Sequence, residues 1–459
     1  MNSSVRLFFA PKSIRWPSDH RRTQATAGAA LLLILATASL RAQTVASPPS
    51  GPGSSGAAAP DWLTVATVSA KEGLDTNLFG VSTNLAGHPD VANVSSRFTT
   101  LSASLTLNLL AAEGRNHGFL NTLTLAYAAD YTAYEAAARE DNFRNTLTLE
   151  ARGQGGPWSL SIDNPLSYVD GSREDQFFNT YNNLGYAATR ERRNQIQERD
   201  TSFLRYDAPG WFARAMASAT YYNLLIAEHN PVGAYKGYVN WVNRDDINIG
   251  ADLGYKLTPD LAFVAGWRIG QQTQARLYYS PVDNDNTYNR ALFGLEGKWR
   301  SWLRAQVTAG PDFRRYGDGS NSGIQGDRHT WLYTQSLLTA TFSPNDTLTV
   351  SNKVWHFVSS AGVSSIQETT EGLAFKHAFS KQLSASAGVA LAGHRYDFPA
   401  VRNDWTRSYP VDITYALTSR LSLSADYANT GGHSHLPVAA SPGQNFSDSL
   451  ASVSVKASF

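Results

Sequence analysis

The chain contains no cysteine. Disulfide bonds, thiolate metal sites, cysteine nucleophiles and lipid attachment through an N-terminal cysteine are therefore excluded. Charged residues are also scarce, at 17% of the sequence, and the basic and acidic residues nearly balance to a net charge of +1. Such a balance argues against a nucleic-acid partner held by bulk electrostatic attraction.

Long apolar runs are lacking too. The mean hydropathy is negative, and the only membrane-directed stretch is 27–40 (AGAALLLILATASL), which is shorter than the roughly 20 residues of a spanning helix. Because Arg21 and Arg22 precede it and small residues follow, it resembles the core of a secretory signal more than a buried helix. We expect a cleaved signal peptide over 1–42, a disordered Pro/Gly/Ser/Ala-rich spacer over 43–60, and one domain over 61–459.

The domain does contain a regular alternation of apolar and polar residues. Apolar residues recur at every second position in segments bounded by turn residues, as in 247–257 (INIGADLGYKL). This period is typical of β-strands with one apolar face. Tight connections such as 256–263 and 416–423 alternate with long polar ones such as 170–195 and 431–446, which is the asymmetry of an outer-membrane barrel.

These patterns predict an all-β fold, a transmembrane antiparallel up-and-down β-barrel. We count about 18 strands, and 16 is compatible because the segments 194–208, 211–226 and 328–342 alternate poorly. A soluble sandwich is disfavoured, since the segments are longer than the usual 5–6 residues of soluble strands. Tryptophans near the strand ends also indicate aromatic girdles at the membrane interfaces: Trp62, Trp158, Trp211, Trp241, Trp299, Trp302, Trp331 and Trp405.

The last residues, SVSVKASF, place Val453, Val455 and Phe459 on one side of a terminal strand. This ending resembles the C-terminal signature of bacterial outer-membrane barrels, which implies recognition by the barrel-assembly machinery. The segment 67–80 (TVSAKEGLDTNLFG) is similar to the opening strand of porin-like β-barrel families of Gram-negative bacteria, and the whole of 61–459 resembles them. The resemblance implies location in the outer membrane, contact with its lipid, and passive passage of small hydrophilic solutes.

Strand parity places a set of charged side chains in the lumen: Arg268, Arg290, Glu296, Lys298, Arg300 and Arg304. Arginine on the lipid face would cost about 2–4 kcal/mol at mid-membrane, so these residues should face inward. They could form a basic stripe that favours anions, or they could form a satisfied network without selectivity. The sequence leaves both interpretations open.

The connection 170–199 is a second candidate, because loops this long are usually functional or disordered. It carries six charged residues of interest: Arg173, Glu174, Asp175, Arg190, Arg192 and Arg193. Folded into the lumen, it would form a constriction that filters solutes by charge. A solvated extracellular loop with scattered ion pairs is the simpler interpretation.

No motif of an enzyme, a metal site or a cofactor site is found in the sequence. The pair His433 and His435 lacks a third ligand and is interpreted as part of an exposed loop. Two hypotheses remain: a channel for small hydrophilic solutes, or a non-channel or plugged barrel that assists surface polysaccharide export or envelope structure. Nothing in the sequence indicates an oligomeric state.

Overall fold

The computed structural model of the protein describes residues 62–78, 94–113, 118–172, 193–225, 243–275, 284–317, 328–358, 365–396, 402–435 and 446–459. These residues form a closed antiparallel sheet of 18 strands. The predicted all-β barrel is therefore confirmed, with 18 rather than 16 strands. The expected signal peptide and spacer, 1–42 and 43–60, lie outside the described residues. Within the described part of the chain, no helix is long and apolar enough to span a membrane.

The strands follow one another round the ring in chain order, and a short helix α1 (Leu109–Glu113) follows β2. Their bounds are β1 Leu63–Asp75, β2 Ser96–Asn108, β3 Leu120–Tyr134, β4 Asn142–Gly155, β5 Trp158–Ser172, β6 Arg193–Asp207, β7 Trp211–Leu225, β8 Arg244–Thr258, β9 Leu261–Gln274, β10 Asn286–Arg300, β11 Leu303–Tyr316, β12 Arg328–Ser343, β13 Asp346–Val358, β14 Ser365–Ala378, β15 Leu383–Tyr396, β16 Arg402–Ala416, β17 Leu421–His435 and β18 Phe446–Ser458.

The ring closes where the last strand meets the first. β18 pairs with β1 from Thr67↔Ser458 to Asp75↔Leu450, and the Phe459 amide donates a hydrogen bond to the Ala66 carbonyl (2.9 Å). Closure gives every strand a paired neighbour on both sides. That is the condition a sheet must meet to cross hydrocarbon, because lipid cannot hydrogen-bond a free backbone edge.

The two ends of the barrel differ. At one end, here the short-turn rim, strands connect through turns such as 156–157, 259–260 and 344–345. At the other end, the long-loop rim, connections such as 173–192 and 226–243 are much longer. The N-terminal end of β1 and the C-terminal end of β18 both lie at the short-turn rim, as an even number of antiparallel strands requires.

Alternation separates an apolar outer face from a polar inner face. On β8, Ile249, Leu253 and Tyr255 are each about three-fifths exposed, while Asp252 and Gly254 between them are buried. Exposed aromatic side chains ring the short-turn rim: Trp62, Trp158, Trp211, Trp299, Trp302, Phe342, Phe379 and Phe459. This arrangement is typical of a lipid-facing surface with an aromatic girdle.

Two expectations about individual side chains are wrong. Trp331 does not join a girdle: its ring stacks on His356 inside the barrel, with centroids 4.0 Å apart. His433 and His435 are the last residues of β17 and not part of a loop, because β17 keeps pairing with β16 up to Asn403↔His435. Trp241 lies outside the described residues.

Candidate functional site

Contacts between strands that are not neighbours identify the inner face of the barrel. Arg205 on β6 donates to Glu296 on β10 (Nη1–Oε1 3.0 Å), and Arg314 on β11 donates to the His356 carbonyl on β13 (Nη2–O 2.6 Å). Such side chains can meet only on the concave side of the sheet. The inner face of β6–β11 is therefore a packed and charged surface.

Alternating charges form a continuous chain along this surface, here called the ionic ladder. It starts at the short-turn rim and rises toward the middle of the barrel. Its pairs are Lys256–Asp207 (3.3 Å), Asp207–Arg205 (2.7 Å), Arg205–Glu296 (3.0 Å), Glu296–Arg214 (2.9 Å), Arg214–Asp252 (2.8 Å) and Asp252–Arg268 (2.6 Å). Four cations face three carboxylates, so the ladder keeps an excess positive charge.

A second polar group, the upper cluster, continues the ladder toward the long-loop rim. Asp312 accepts hydrogen bonds from Arg290 and Arg314, each at 3.0 Å. Arg314 also donates to Gln272 (2.7 Å) and Asn286 (3.1 Å). The two groups adjoin, because Arg268 and Arg290 are register partners on β9 and β10. The Arg290 guanidinium lies 3.9 Å from the ring centroid of Tyr333, a cation–π contact that helps to hold it in place.

Exposed cations lie near the short-turn rim. Lys298 and Arg304 are register partners on β10 and β11, and Arg300 ends β10. All three side chains are exposed, and within the described ranges none of them forms an ion pair. Unlike the arginines of the ionic ladder, their side chains are open to solvent.

The opposite wall is lined mainly by small side chains. A recess of about 320 Å³ lies against β13–β18, lined by Thr349, Ser351 and Ser386 among others. Asp412 and Asp426 are register partners there, and Lys71 lies 3.5 Å from Asp426. Strand β17 stands nine strands from β8 in either direction round the ring. Free space therefore faces the ionic ladder across the lumen.

The upper end of β13 does not stay in the wall. Here the inner segment denotes 355–358 of β13 with Ser365 and Ile366 of β14. The His356 carbonyl accepts hydrogen bonds from Arg314 and from Gln272 on β9 (3.1 Å), and the Val358 carbonyl accepts one from Arg244 on β8 (3.1 Å). β13 stands four places from β9 round the ring, so these contacts cross the lumen. The inner segment thus occupies lumen space near the long-loop rim.

Several solved structures are similar to the chain, and one of them is described as the outer membrane protein OpdK. The chain aligns with OpdK of Pseudomonas aeruginosa crystallised with vanillate (11% identity, TM-score 0.41, covering 87% of this chain and 100% of that one). It also aligns with OccAB4 of Acinetobacter baumannii (10%, 0.40, 88% and 100%) and with the siderophore receptor PirA of A. baumannii (6%, 0.41, 86% and 80%). No family model and no curated protein matches the chain. Similarity at this level carries no information about a solute.

The structure places the predicted lumen residues in two different settings. Arg268, Arg290 and Glu296 are held in ion pairs on the inner face, whereas Lys298, Arg300 and Arg304 are exposed. A functional role for either group stays a prediction. In the predicted constriction, Arg173, Glu174, Asp175, Arg190 and Arg192 lie outside the described residues, and Arg193 is the first residue of β6.

Sequence reasoning missed the partners that complete the network. Arg205 and Asp207 lie on β6, and Arg214 lies on β7, two of the three segments whose alternation is poor. Asp252 could have been found, because the period of β8 already placed it on the inner face. The position of His356 could not have been predicted, because neither strand parity nor a short motif shows that a strand end leaves the wall.

Proposed function

We propose that this chain is an outer-membrane channel through which small hydrophilic solutes diffuse passively, with a preference for anions. The observation that carries the proposal is the combination of a closed 18-strand barrel with an apolar outer face and a charged inner face. Barrels of 16–18 strands are wide enough to leave an aqueous passage. The short-turn rim is then periplasmic and the long-loop rim extracellular.

The preference for anions rests on two features. The ionic ladder has one more cation than carboxylates, and Lys298, Arg300 and Arg304 are exposed near the periplasmic rim. Rings or patches of basic side chains select anions, because a pore wall of low dielectric constant focuses their field into the passage. The buried members of the ladder hold this wall in shape and are less suited to contact a solute directly.

The test is reconstitution of the folded barrel into planar lipid bilayers. We expect discrete conductance steps and a reversal potential displaced toward that of the anion in a salt gradient. Replacing Lys298, Arg300 and Arg304 together by Gln should lower the anion-to-cation permeability ratio at least about two-fold, while the steps persist. A barrel that inserts without steps would contradict a channel that is open at rest, and an unchanged ratio would contradict the role of the rim.

A matched control removes the same charge from the outer face. Arg315, Arg395 and Arg407 are exposed and belong to the set of side chains that points away from the lumen. Their replacement by Gln should leave the permeability ratio unchanged. An equal fall in both triple variants would mean that overall charge, rather than the rim, sets the preference.

The inner segment supports a second candidate, a plugged barrel that serves surface polysaccharide export or envelope structure. Its presence in the lumen narrows the extracellular end. A plugged barrel should stay silent in the same bilayers while showing a correct fold, for example by heat-modifiable migration in gels. The same experiment therefore separates a channel that is open at rest from a plugged barrel.

We further propose that Val453, Val455 and Phe459 form the signal read by the barrel-assembly machinery. Val453 and Val455 are exposed on the outer face of β18, and Phe459, which follows the strand directly, is exposed as well. Strand β18 and β1 are the last pair needed to close the ring, so a factor that binds the terminal strand could hold the barrel open until closure.

A further inference from the structure

The backbone hydrogen bonding between β12 and β13 ends well before the long-loop rim. The two strands pair from Ser343↔Asp346 to Thr334↔Val354. By contrast, β12 pairs with β11 as far as Arg328, and β13 pairs with β14 as far as Val358. Residues 330–333 and 355–358, all described, are therefore neighbours in the ring that do not pair with each other. This gap between β12 and β13 is here called the seam.

The seam borders the apolar outer surface, because its own residue Leu332 is 60% exposed on the outer face. Thr330 is the register partner of Phe313, which leads along the same row through Asn289 to Ile269 and Ile249. The three apolar members of this row are exposed on the outer face. An unpaired sheet edge at this depth is costly, because lipid offers no hydrogen bonds to replace the missing ladder.

The inner segment is the part of β13 that left the wall. His356 belongs to the set of β13 side chains that should face outward, yet its ring stacks on Trp331, an inward side chain of β12. This contact is possible only if β13 has moved behind β12 toward the lumen. Val358 and Ile366 are almost fully buried there, and the Tyr316 hydroxyl lies 3.1 Å from that of Ser365.

The inward position leaves polar atoms unsatisfied. Among the described residues, His356 is 0% exposed, and both of its ring nitrogens are buried without a hydrogen-bond partner. The Nε atoms of Arg244 and Arg290 and one oxygen of Asp312 are also buried without partners. Buried polar atoms without partners are rare and each is destabilising. Their concentration around one displaced strand end indicates that this position is one of two that the strand end can take.

We propose that the inner segment is the gate of the channel. In the state seen here it fills the extracellular end of the lumen and leaves the seam open. In the second state it returns to the wall, vacates the lumen and extends the existing register. The added pairs are then Tyr333↔Trp355, Leu332↔His356, Trp331↔Phe357 and Thr330↔Val358, which continue the series that ends at Thr334↔Val354.

Each state contains hydrogen bonds and contacts that the other lacks, so both states have stabilising interactions of their own. Leaving the lumen gives up the bonds from Arg244, Gln272 and Arg314 to backbone carbonyls and the burial of Val358 and Ile366. It gains backbone hydrogen bonds across the seam and frees the buried, partnerless atoms of Arg244, Arg290 and Asp312 for contact with water, while the His356 ring turns outward beside Leu332. A solute can shift such an equilibrium only by binding one state more tightly than the other. This inference rests on the proposed channel function.

Disulfide trapping tests the gate. Because the chain has no native cysteine, any disulfide within it must join the two introduced residues. In the double variant Thr330→Cys/Val358→Cys, the two thiols become register partners only if the segment returns to the wall. Opposed residues in an antiparallel pair have Cα atoms about 4.5–5.5 Å apart, within the range of a disulfide. We expect the disulfide to form under oxidation, and the oxidised protein to show a persistently larger conductance that reduction reverses.

A matched control uses the same two strands where they already pair. Ser336 and Asn352 are register partners, displaced from the test pair by the same even number of residues on each strand, so they share its face and its position in the ladder. Ser336→Cys/Asn352→Cys should oxidise readily with no change of conductance. Heat-modifiable migration of the reduced proteins is the check that both variants fold.

The outcomes separate the gate from the channel. No disulfide in the test pair, under conditions that fully oxidise the control, would overturn the gate because the segment never reaches the wall. A disulfide without a change of conductance would also overturn it. If the wild-type barrel is silent but the oxidised test variant conducts, the gate stands and the wild-type protein is a closed channel. If the reduced and oxidised proteins are both silent, both proposals fail, whereas steps without disulfide formation leave the channel standing alone.

Discussion

At the scale of single residues, the ionic ladder depends on one carboxylate. Asp252 is 5% exposed and lies between Arg214 and Arg268. Glycines make room for it: a Cβ atom at Gly266 would lie 2.2 Å from the Asp252 carboxylate, and one at Gly250 would lie 2.5 Å from Arg268. Strand parity predicted that Arg268 faces inward. It could not predict its pairing, because that depends on the registers of three strands.

Asp252→Asn should therefore destabilise the barrel. Removing the carboxylate leaves two arginines close together and mostly buried, and breaking a buried ion pair from one side costs about 3–5 kcal/mol. Guanidinium unfolding in detergent micelles, followed by tryptophan fluorescence, measures the loss. Lys298→Gln is the control, since an exposed residue without an ion pair should change the free energy of unfolding by less than about 0.5 kcal/mol. Equal stability of the two variants would show that the ladder is not structural.

At the scale of strands, the alternating period predicted the elements well and one local arrangement badly. All 18 predicted segments correspond to strands, including 194–208, 211–226 and 328–342, whose alternation is poor. For β12 the poor alternation has a physical reason. Its upper inner face carries Trp331 and Tyr333, which contact His356 and Arg290 in place of the small polar residues that face open lumen.

The period also predicts that a charge destabilises the two faces of one strand to different degrees. Leu253 of β8 is 60% exposed on the outer face, whereas Asn248 of the same strand lies on the inner face. Leu253→Arg should lower the free energy of unfolding in lipid vesicles by about 2–4 kcal/mol, because a charge near the bilayer centre loses its hydration. Asn248→Arg should cost far less. If both variants lose the same stability in vesicles, or if Leu253→Arg loses as much in detergent as in lipid, the outer face of β8 does not contact the bilayer.

At the scale of the whole molecule, folding and assembly make different demands on the last residue. Phe459 contributes one backbone hydrogen bond to Ala66 and a side chain that is 42% exposed. Loss of one hydrogen bond and part of one apolar side chain costs roughly 1–3 kcal/mol, which a closed barrel of this size should tolerate. The assembly signal proposed above predicts a larger effect in the cell.

Deletion of Phe459 should therefore leave refolding from denaturant into detergent nearly intact and strongly reduce the amount of barrel in the outer membrane. The matched control is Phe379→Ala, which removes an aromatic ring that is 61% exposed at the same rim but lies far from the terminus. It should refold and assemble at normal levels, because it weakens the same girdle without touching the terminal strand. Equal outer-membrane levels of the deletion and the wild type would refute the assembly role. Equal losses in the deletion and in Phe379→Ala would instead assign the effect to the girdle, since the two variants share only the removal of a rim aromatic.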